Sequence, residues 1–348
     1  MALAELWAID MLIAAFAGGA FGAALGALPA FVFTGFMVIA GEAAAIANAD
    51  AGSITGSVAF GAPFSPAISF AGGAAAAAYA AKRGYMQSGF DYHNAKDITF
   101  ALGTKPDVLA VGGAFGILGY WLTVLSATFA LPYDSIAMGV VLSALLHRVA
   151  FGYPIIGTVH GDGILDMTPF EREEMRPAGG GTVTEGGQTP TDGGAVNRLA
   201  VEPWLPQQYE WGNVAVISLV AGLMGGYIAM ATGSAFLAFG ISAASLLFLN
   251  LGVERFPVTH HMTITGSAAA LGVSGGGEGS LLVALLAAGA IGTISGLFGE
   301  LFQRVFYAHG DTHWDPPAAA IVFGSFLVFV LYAVGIFPSA SYVPTLGL

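Results

Sequence analysis

Ten continuous apolar stretches, each close to the length that crosses a bilayer, limit what this chain can fold into. They lie at 8–27, 29–47, 61–82, 107–128, 133–152, 213–231, 234–251, 257–274, 281–304 and 316–337. A transmembrane helix needs about 20 predominantly apolar residues. The stretches do not alternate between apolar and polar residues as the strands of a membrane barrel do. The sequence therefore predicts an all-α integral membrane protein with about ten membrane segments.

The composition supports the same class. Hydrophobic residues make up 56% of the 348 residues and charged residues only 9%, too few to cover the surface of a soluble domain of this size. The chain has no cysteine, which excludes disulfides, thiolate nucleophiles and cysteine-ligated metals. A net charge of −12 excludes a nucleic-acid partner. The lipid bilayer is the expected partner.

The excess of acidic residues points to a habitat. The 22 acidic residues outnumber the 10 basic ones, and only three of the bases are lysines. A high-salt cytoplasm favours such a composition, because salt screens the repulsion among carboxylates. We interpret the chain as halophilic and archaeal, the alternative being an ordinary acidic membrane protein.

The basic residues predict the topology. If the N-terminus is outside, ten crossings place every lysine and arginine on the cytoplasmic side: Lys82, Arg83, Lys96, Lys105, Arg148, Arg172, Arg176, Arg198, Arg255 and Arg304. Cytoplasmic loops of membrane proteins carry this excess of Lys and Arg. We therefore expect both termini outside and the connector, residues 153–212, in the cytoplasm as a flexible linker.

The chain also repeats itself. Residues 63–76 align without gaps on residues 257–270, sharing a proline, a glycine and three alanines. Asp134 and Asp315 begin matching segments, each as the predicted N-cap of a helix, and glycines at four-residue spacing recur in both halves. Each repeat contains five predicted crossings, and because five is an odd number, the two repeats must have opposite orientations in the membrane. The expected organisation is two inverted five-segment repeats, 1–152 and 213–348.

Two pairs of segments allow a second reading. Only 26–29 separates the first two segments, and only 232–234 separates the sixth and seventh. The stretches 8–47 and 213–251 can each be two full spans or a re-entrant hairpin, because irregular backbone at membrane depth is tolerated where protein or a water cavity covers it.

Polar residues inside apolar segments are the candidate solute-binding residues, because they are costly in lipid. Glu42 lies inside the second segment and could bind a proton or a cation, or could be a carboxylate at the rim. His260 and His261 open the eighth segment; they point about 100° apart on a helix, so at most one faces a given site. Interfacial histidines are the alternative.

Four hydroxyls complete the predicted site. Ser65 and Ser69 align with Thr259 and Thr263, and four-residue spacing places each pair on one helix face. If the two stretches enter as broken helices, their N-terminal turns can meet where inverted-repeat transporters bind solutes. The alternative is ordinary capping of two helix starts.

Enzyme and metal chemistry are not expected. His309, Asp311, His313 and Asp315 are residue types that bind metals, but a polar loop ending in an N-cap before Pro316 explains them better. The chain lacks the G-x-x-x-x-G-K-[S/T], H-E-x-x-H and G-x-S-x-G motifs. We predict no catalytic residue, no metal and no cofactor.

The Gly/Ala-rich segments, the stretch at 105–116 and the acidic linker together resemble the uncharacterised, permease-like multi-pass membrane proteins of haloarchaea. The resemblance implies no catalytic residue. The leading hypothesis is translocation of a small solute or ion, by a channel or a secondary transporter, between the inverted repeats. The alternatives are a membrane scaffold or partner-binding protein and, less favoured, an enzyme acting on lipid. The sequence allows a homo-oligomer as a further partner interaction but does not decide the oligomeric state.

Overall fold

The structure, a computed structural model, describes residues 3–47, 53–86, 92–176 and 198–348 and is helical, with no strand in those ranges. The helices are α1 (Ile9–Leu25), α2 (Ala27–Ile46), α3 (Ala71–Lys82), α4 (Pro106–Thr128), α5 (Ser135–Ala150), α6 (Thr168–Glu171), α7 (Trp211–Thr232), α8 (Leu237–Asn250), α9 (His260–Val273), α10 (Leu281–Phe306) and α11 (Pro316–Ala333). A π-helical turn, Pro66–Phe70, runs directly into α3.

Several of these helices could span a membrane. Five are both long and apolar enough among the described residues: α2, α4, α7, α10 and α11. Three more, α1, α5 and α8, are apolar but shorter. Large apolar side chains cover the outer surface, including Val216 at 65% exposure and Leu282 at 66%. The predicted helical class is confirmed, while the count of ten crossings stays a prediction.

The helix boundaries follow from local sequence chemistry. Gly26 separates α1 from α2 at φ +96°, a conformation that glycine adopts without steric cost. The carboxylate of Asp134 accepts a hydrogen bond from the amide of Ala137 at 2.8 Å, and that of Asp315 accepts from the amide of Ala318 at 2.8 Å. The N-caps predicted for α5 and α11 are therefore confirmed.

Two three-helix groups, α1/α3/α4 and α7/α9/α10, pack backbone against backbone through glycine. A methyl group at Gly22 would overlap the carbonyl oxygen of Ser69, and one at Gly225 would overlap that of Thr263. Ser69 and Thr263 occupy aligned positions of the stretches 63–76 and 257–270. The two halves therefore share a packing pattern, which includes α4 against α5 and α10 against α11.

The halves meet through α2 and α8, which pack closely because Gly35 of α2 lies against the backbone of Ala244. The largest cluster of buried apolar residues lies at this junction and draws on α2, α5, α8, α9 and α11. The π-helical turn before α3 also contributes, through Phe70. The hydrophobic core is thus shared between the halves.

The connector is packed where the structure describes it. Val201 and Glu202 are fully buried, and the side chain of Gln208 bonds both backbone groups of Val258 just before α9. Residues 177–197, which contain the glycine-rich stretch predicted to be a flexible linker, lie outside the described residues. The second flank of the connector therefore helps to position the start of α9.

Candidate functional site

A cavity of about 210 Å³ lies between the two halves. The first half contributes residues from α2, from the turn before α3 and from the start of α5. The second half contributes residues from α8, α9 and α11, and the connector adds Trp204. Elements of both halves thus line the cavity.

The two aligned stretches reach the cavity through equivalent positions. Pro66 and Phe70 line it from the first half, and His260 and Ile264 line it from the second. The gap-free alignment of 63–76 on 257–270 pairs Pro66 with His260 and Phe70 with Ile264. Four-residue spacing puts each pair on one helix face. The two helix starts therefore present the same face to one shared space.

The four candidate hydroxyls lie outside the described lining of this cavity. The hydroxyl of Ser69 donates to the carbonyl of Ser65 at 3.3 Å, and that of Thr263 donates to the carbonyl of His260 at 2.9 Å. Thr259 shares a hydrogen bond of 2.7 Å with Ser242. Each hydroxyl sits one residue before a lining position, about 100° around the helix. The hydroxyls of Ser69, Thr259 and Thr263 therefore make hydrogen bonds within the protein, and solute contact by the four hydroxyls stays a prediction.

The two histidines point to different surroundings. His260 lines the cavity, with its ring centroid 4.8 Å from that of Phe31. It is 5% exposed, and its Nδ1 has no hydrogen-bond partner in the described part of the chain. His261 lies between Trp204, at 6.0 Å between ring centroids, and the α10 backbone near Gly299. Of the predicted site residues, His260 is the one that the structure places on the cavity.

The cavity also contains two carboxylates that sequence reasoning treated only as helix caps. Asp134 and Asp315 both line it, at the starts of the matching helices α5 and α11. Asp315 also lies 3.1 Å from Nε2 of His313, and the hydroxyl of Tyr342 adjoins the carboxylate of Asp134. The signal available in the sequence was that Asp134 and Asp315 begin matching apolar segments. Among the described lining residues there is no lysine or arginine.

Glu42 lies toward the end of α2 and is not among the described lining residues of the cavity. Its carboxylate accepts hydrogen bonds from the hydroxyl of Thr55 at 2.7 Å and from that of Ser234 at 2.6 Å. The hydroxyl oxygen of Ser234 also accepts from the amide of Leu237 at the start of α8. Glu42 therefore ties α2 to the α7–α8 turn of the other half, and ion binding by it stays a prediction.

A buried ionic cluster joins three loops, those between α3 and α4, between α10 and α11, and in the connector. Lys96 and Glu202, both fully buried, are 2.6 Å apart. Arg198 lies 3.1 Å from Glu202 and 2.7 Å from Asp311, which also pairs with Arg176 at 3.3 Å. Burial lowers the pKa of Lys96 to about 8, although Glu202 favours its charged form. The cluster fastens the connector to both halves.

The residues of the candidate metal motif are divided among separate interactions. Asp311 belongs to the ionic cluster, while Asp315 caps α11. Nε2 of His309 lies 3.2 Å from the carbonyl of Ile164, and His313 lies beside Asp315. Within the described ranges, no three such side chains converge as metal ligands.

The chain belongs to a family of unknown function (DUF7973), whose model matches residues 1–346. No curated protein matches the chain, and no solved structure does. The family match thus covers nearly the whole chain but assigns no activity to it.

Proposed function

We propose that this member of the family moves a small solute across a membrane, and that the solute binds in the cavity between the two halves. The observation that carries the proposal is the pairing of Pro66 with His260 and of Asp134 with Asp315 around one cavity. Inverted-repeat carriers bind substrate in this way, where equivalent elements of the two repeats converge on one site.

The finer features predicted from the sequence fit this proposal. We propose two inverted five-segment repeats, both termini outside, and a cytoplasmic connector, in a permease-like protein of a halophilic archaeon. The shared packing of α1/α3/α4 and α7/α9/α10 supports the repeat. The placement of every lysine and arginine supports the topology.

Two sets of hydrogen bonds, one at each end of α2, would control access to the cavity. At the start of α2, the amide of Leu28 donates to the carbonyl of Ile98, two residues after Lys96 of the ionic cluster. At the far end, Glu42 holds Ser234 and Thr55. We propose that solute transport requires these two sets of hydrogen bonds to break in turn, which opens the cavity first to one side of the membrane and then to the other.

Filling the cavity tests the proposal. Ala137 lines the cavity, so Ala137→Phe places a ring in the space that the solute would occupy. Ala17→Phe, on the exposed face of α1, is the matched control. Purified protein in liposomes is assayed for uptake of a panel of radiolabelled amines, carboxylates, amino acids, sugars and inorganic ions.

We expect uptake of at least one class by the wild type and by Ala17→Phe, and loss of that uptake in Ala137→Phe with folding intact. Folded wild-type protein that moves none of the panel above the rate of empty liposomes would overturn the proposal. That result would favour the alternative, a membrane scaffold.

A further inference from the structure

We infer that the cavity binds a small organic cation with an apolar body, such as a protonated arylalkylamine. The inference rests on the proposed function in that it takes the same cavity as the solute site. It assigns to that site a chemical class of ligand, from the charge, the aromatic content and the size of its lining.

The charge of the lining favours a cation. Asp134 and Asp315 contribute two carboxylates, while the described lining contains no lysine or arginine to meet an anion. The positive ends of α5 and α11 cannot serve an anion either, because these two carboxylates already cap them. An anion would therefore be buried beside two negative charges without a positive partner.

The aromatic content favours an organic cation over a metal ion. The rings of Phe31, Phe70 and Phe239 line the cavity together with those of Phe60 and Phe236, whose centroids are 5.3 Å apart. Aromatic faces attract ammonium groups and pack against apolar bodies. A hard cation such as Ca²⁺ needs about six to eight oxygen ligands, which a lining this apolar does not offer.

His260 supplies a second polar contact. Its side chain is almost fully buried on the lining, and its Nδ1 has no hydrogen-bond partner within the described chain. A buried polar atom left without a partner is costly, so a ligand that bonds to it gains affinity. Neutral imidazole accepts a hydrogen bond from an ammonium N–H when the proton is on the other ring nitrogen.

The size of the cavity sets the scale of the ligand. A dry protein cavity of about 150 Å³ holds benzene. The volume of about 210 Å³ therefore accommodates a single ring with a short charged substituent. Benzylammonium has these dimensions, and benzyl alcohol and benzoate differ from it mainly in charge.

The test is equilibrium binding of radiolabelled benzylamine at neutral pH to the purified full-length protein in detergent, with benzyl alcohol and benzoate as competitors. Asp134→Asn and Asp315→Asn remove one charge each but keep an oxygen that caps the helix. Asp166→Asn is the matched control, because Asp166 also accepts a backbone amide hydrogen bond, from Thr168 at 2.9 Å, but does not line the cavity. A melting curve checks the folding of each variant.

We expect benzylammonium to bind more tightly than both competitors. Each cavity aspartate variant should lose affinity about tenfold or more, as expected for a charge-assisted contact, while Asp166→Asn keeps wild-type affinity. Equal binding of benzyl alcohol, tighter binding of benzoate, or full affinity in both cavity variants would overturn the inference of a cation.

Liposome uptake separates this inference from the proposed function. Failure of benzylammonium to bind, in a preparation whose solute uptake is blocked by Ala137→Phe, would overturn the cation inference and leave translocation standing. Charge-dependent binding of benzylammonium without uptake of any solute would support the cation site and overturn translocation.

Discussion

Removing the carboxylate of Glu202 should destabilise the protein more than any single change at its surface. Glu202 is fully buried and lies 2.6 Å from Lys96 and 3.1 Å from Arg198. Glu202→Gln leaves Lys96 buried without a counter-ion and leaves Arg198 with Asp311 alone. Breaking a buried ion pair from one side typically costs about 3–5 kcal/mol. We expect a loss in that range, with release of the connector from the two halves.

Lys96→Met separates the charge effect from packing. This change removes one cation but leaves Glu202 paired with Arg198 at 3.1 Å, so the loss should be smaller than for Glu202→Gln. Adding Lys96→Met to Glu202→Gln should recover part of the stability, because the buried cation left without a counter-ion is then gone.

The assay is thermal unfolding in detergent, combined with limited proteolysis of the connector. Glu174→Gln, at an exposed position of the same connector, is the control and should shift stability by no more than about 0.5 kcal/mol. A loss of that size for Glu202→Gln, or no recovery in the double variant, would refute this account of the ionic cluster.

Three further predictions follow from other parts of the chain. Burial, and after it the charge of Arg198, lowers the pKa of His93 to about 3. Stability should therefore fall as the pH drops from about 6.5 toward about 3, because only the unfolded state takes up the proton in this range. His93→Asn should reduce this change of the melting temperature with pH. In intact cells, a cysteine at Ala2 should react with an impermeant reagent and one at Gly180 should not; the reverse pattern would contradict the topology. Gly22→Ala should lower the melting temperature, because its methyl group meets the carbonyl of Ser69, whereas Gly212→Ala, in open space, should not; equal effects would contradict the glycine-packing account.

Composition and periodicity carried the helical class and most element boundaries. The apolar stretch 107–128 became α4 (Pro106–Thr128), and 316–337 became α11 (Pro316–Ala333). These features are local, because span length and capping depend on residues within a few turns of one another. The alignment of 63–76 on 257–270 likewise named the two helix starts that reach the cavity.

The candidate site could be predicted only in part from the sequence. Polar residue types directed attention to Ser69 and Thr263, but the faces that line the cavity carry Phe70 and Ile264. A shift of one residue turns a helix by about 100°, so hydroxyl content does not reveal which face meets the partner half. Asp134 and Asp315 were recognised as caps, and only the docking of the two halves brought them to one cavity.

By itself, then, the sequence determined the helical class, most of the helix bounds and the caps of α5 and α11, because these depend on local hydrogen bonding, hydrophobicity and spacing. The tertiary structure decided which groups come together: His260 with the two aspartates, Glu42 with Ser234, and Lys96 with Glu202. The partners in these contacts are distant in the chain, as Glu42 and Ser234 are at 192 residues apart. Such contacts depend on the packing of elements that are distant in the chain, because no local pattern encodes the relative placement of two helix faces.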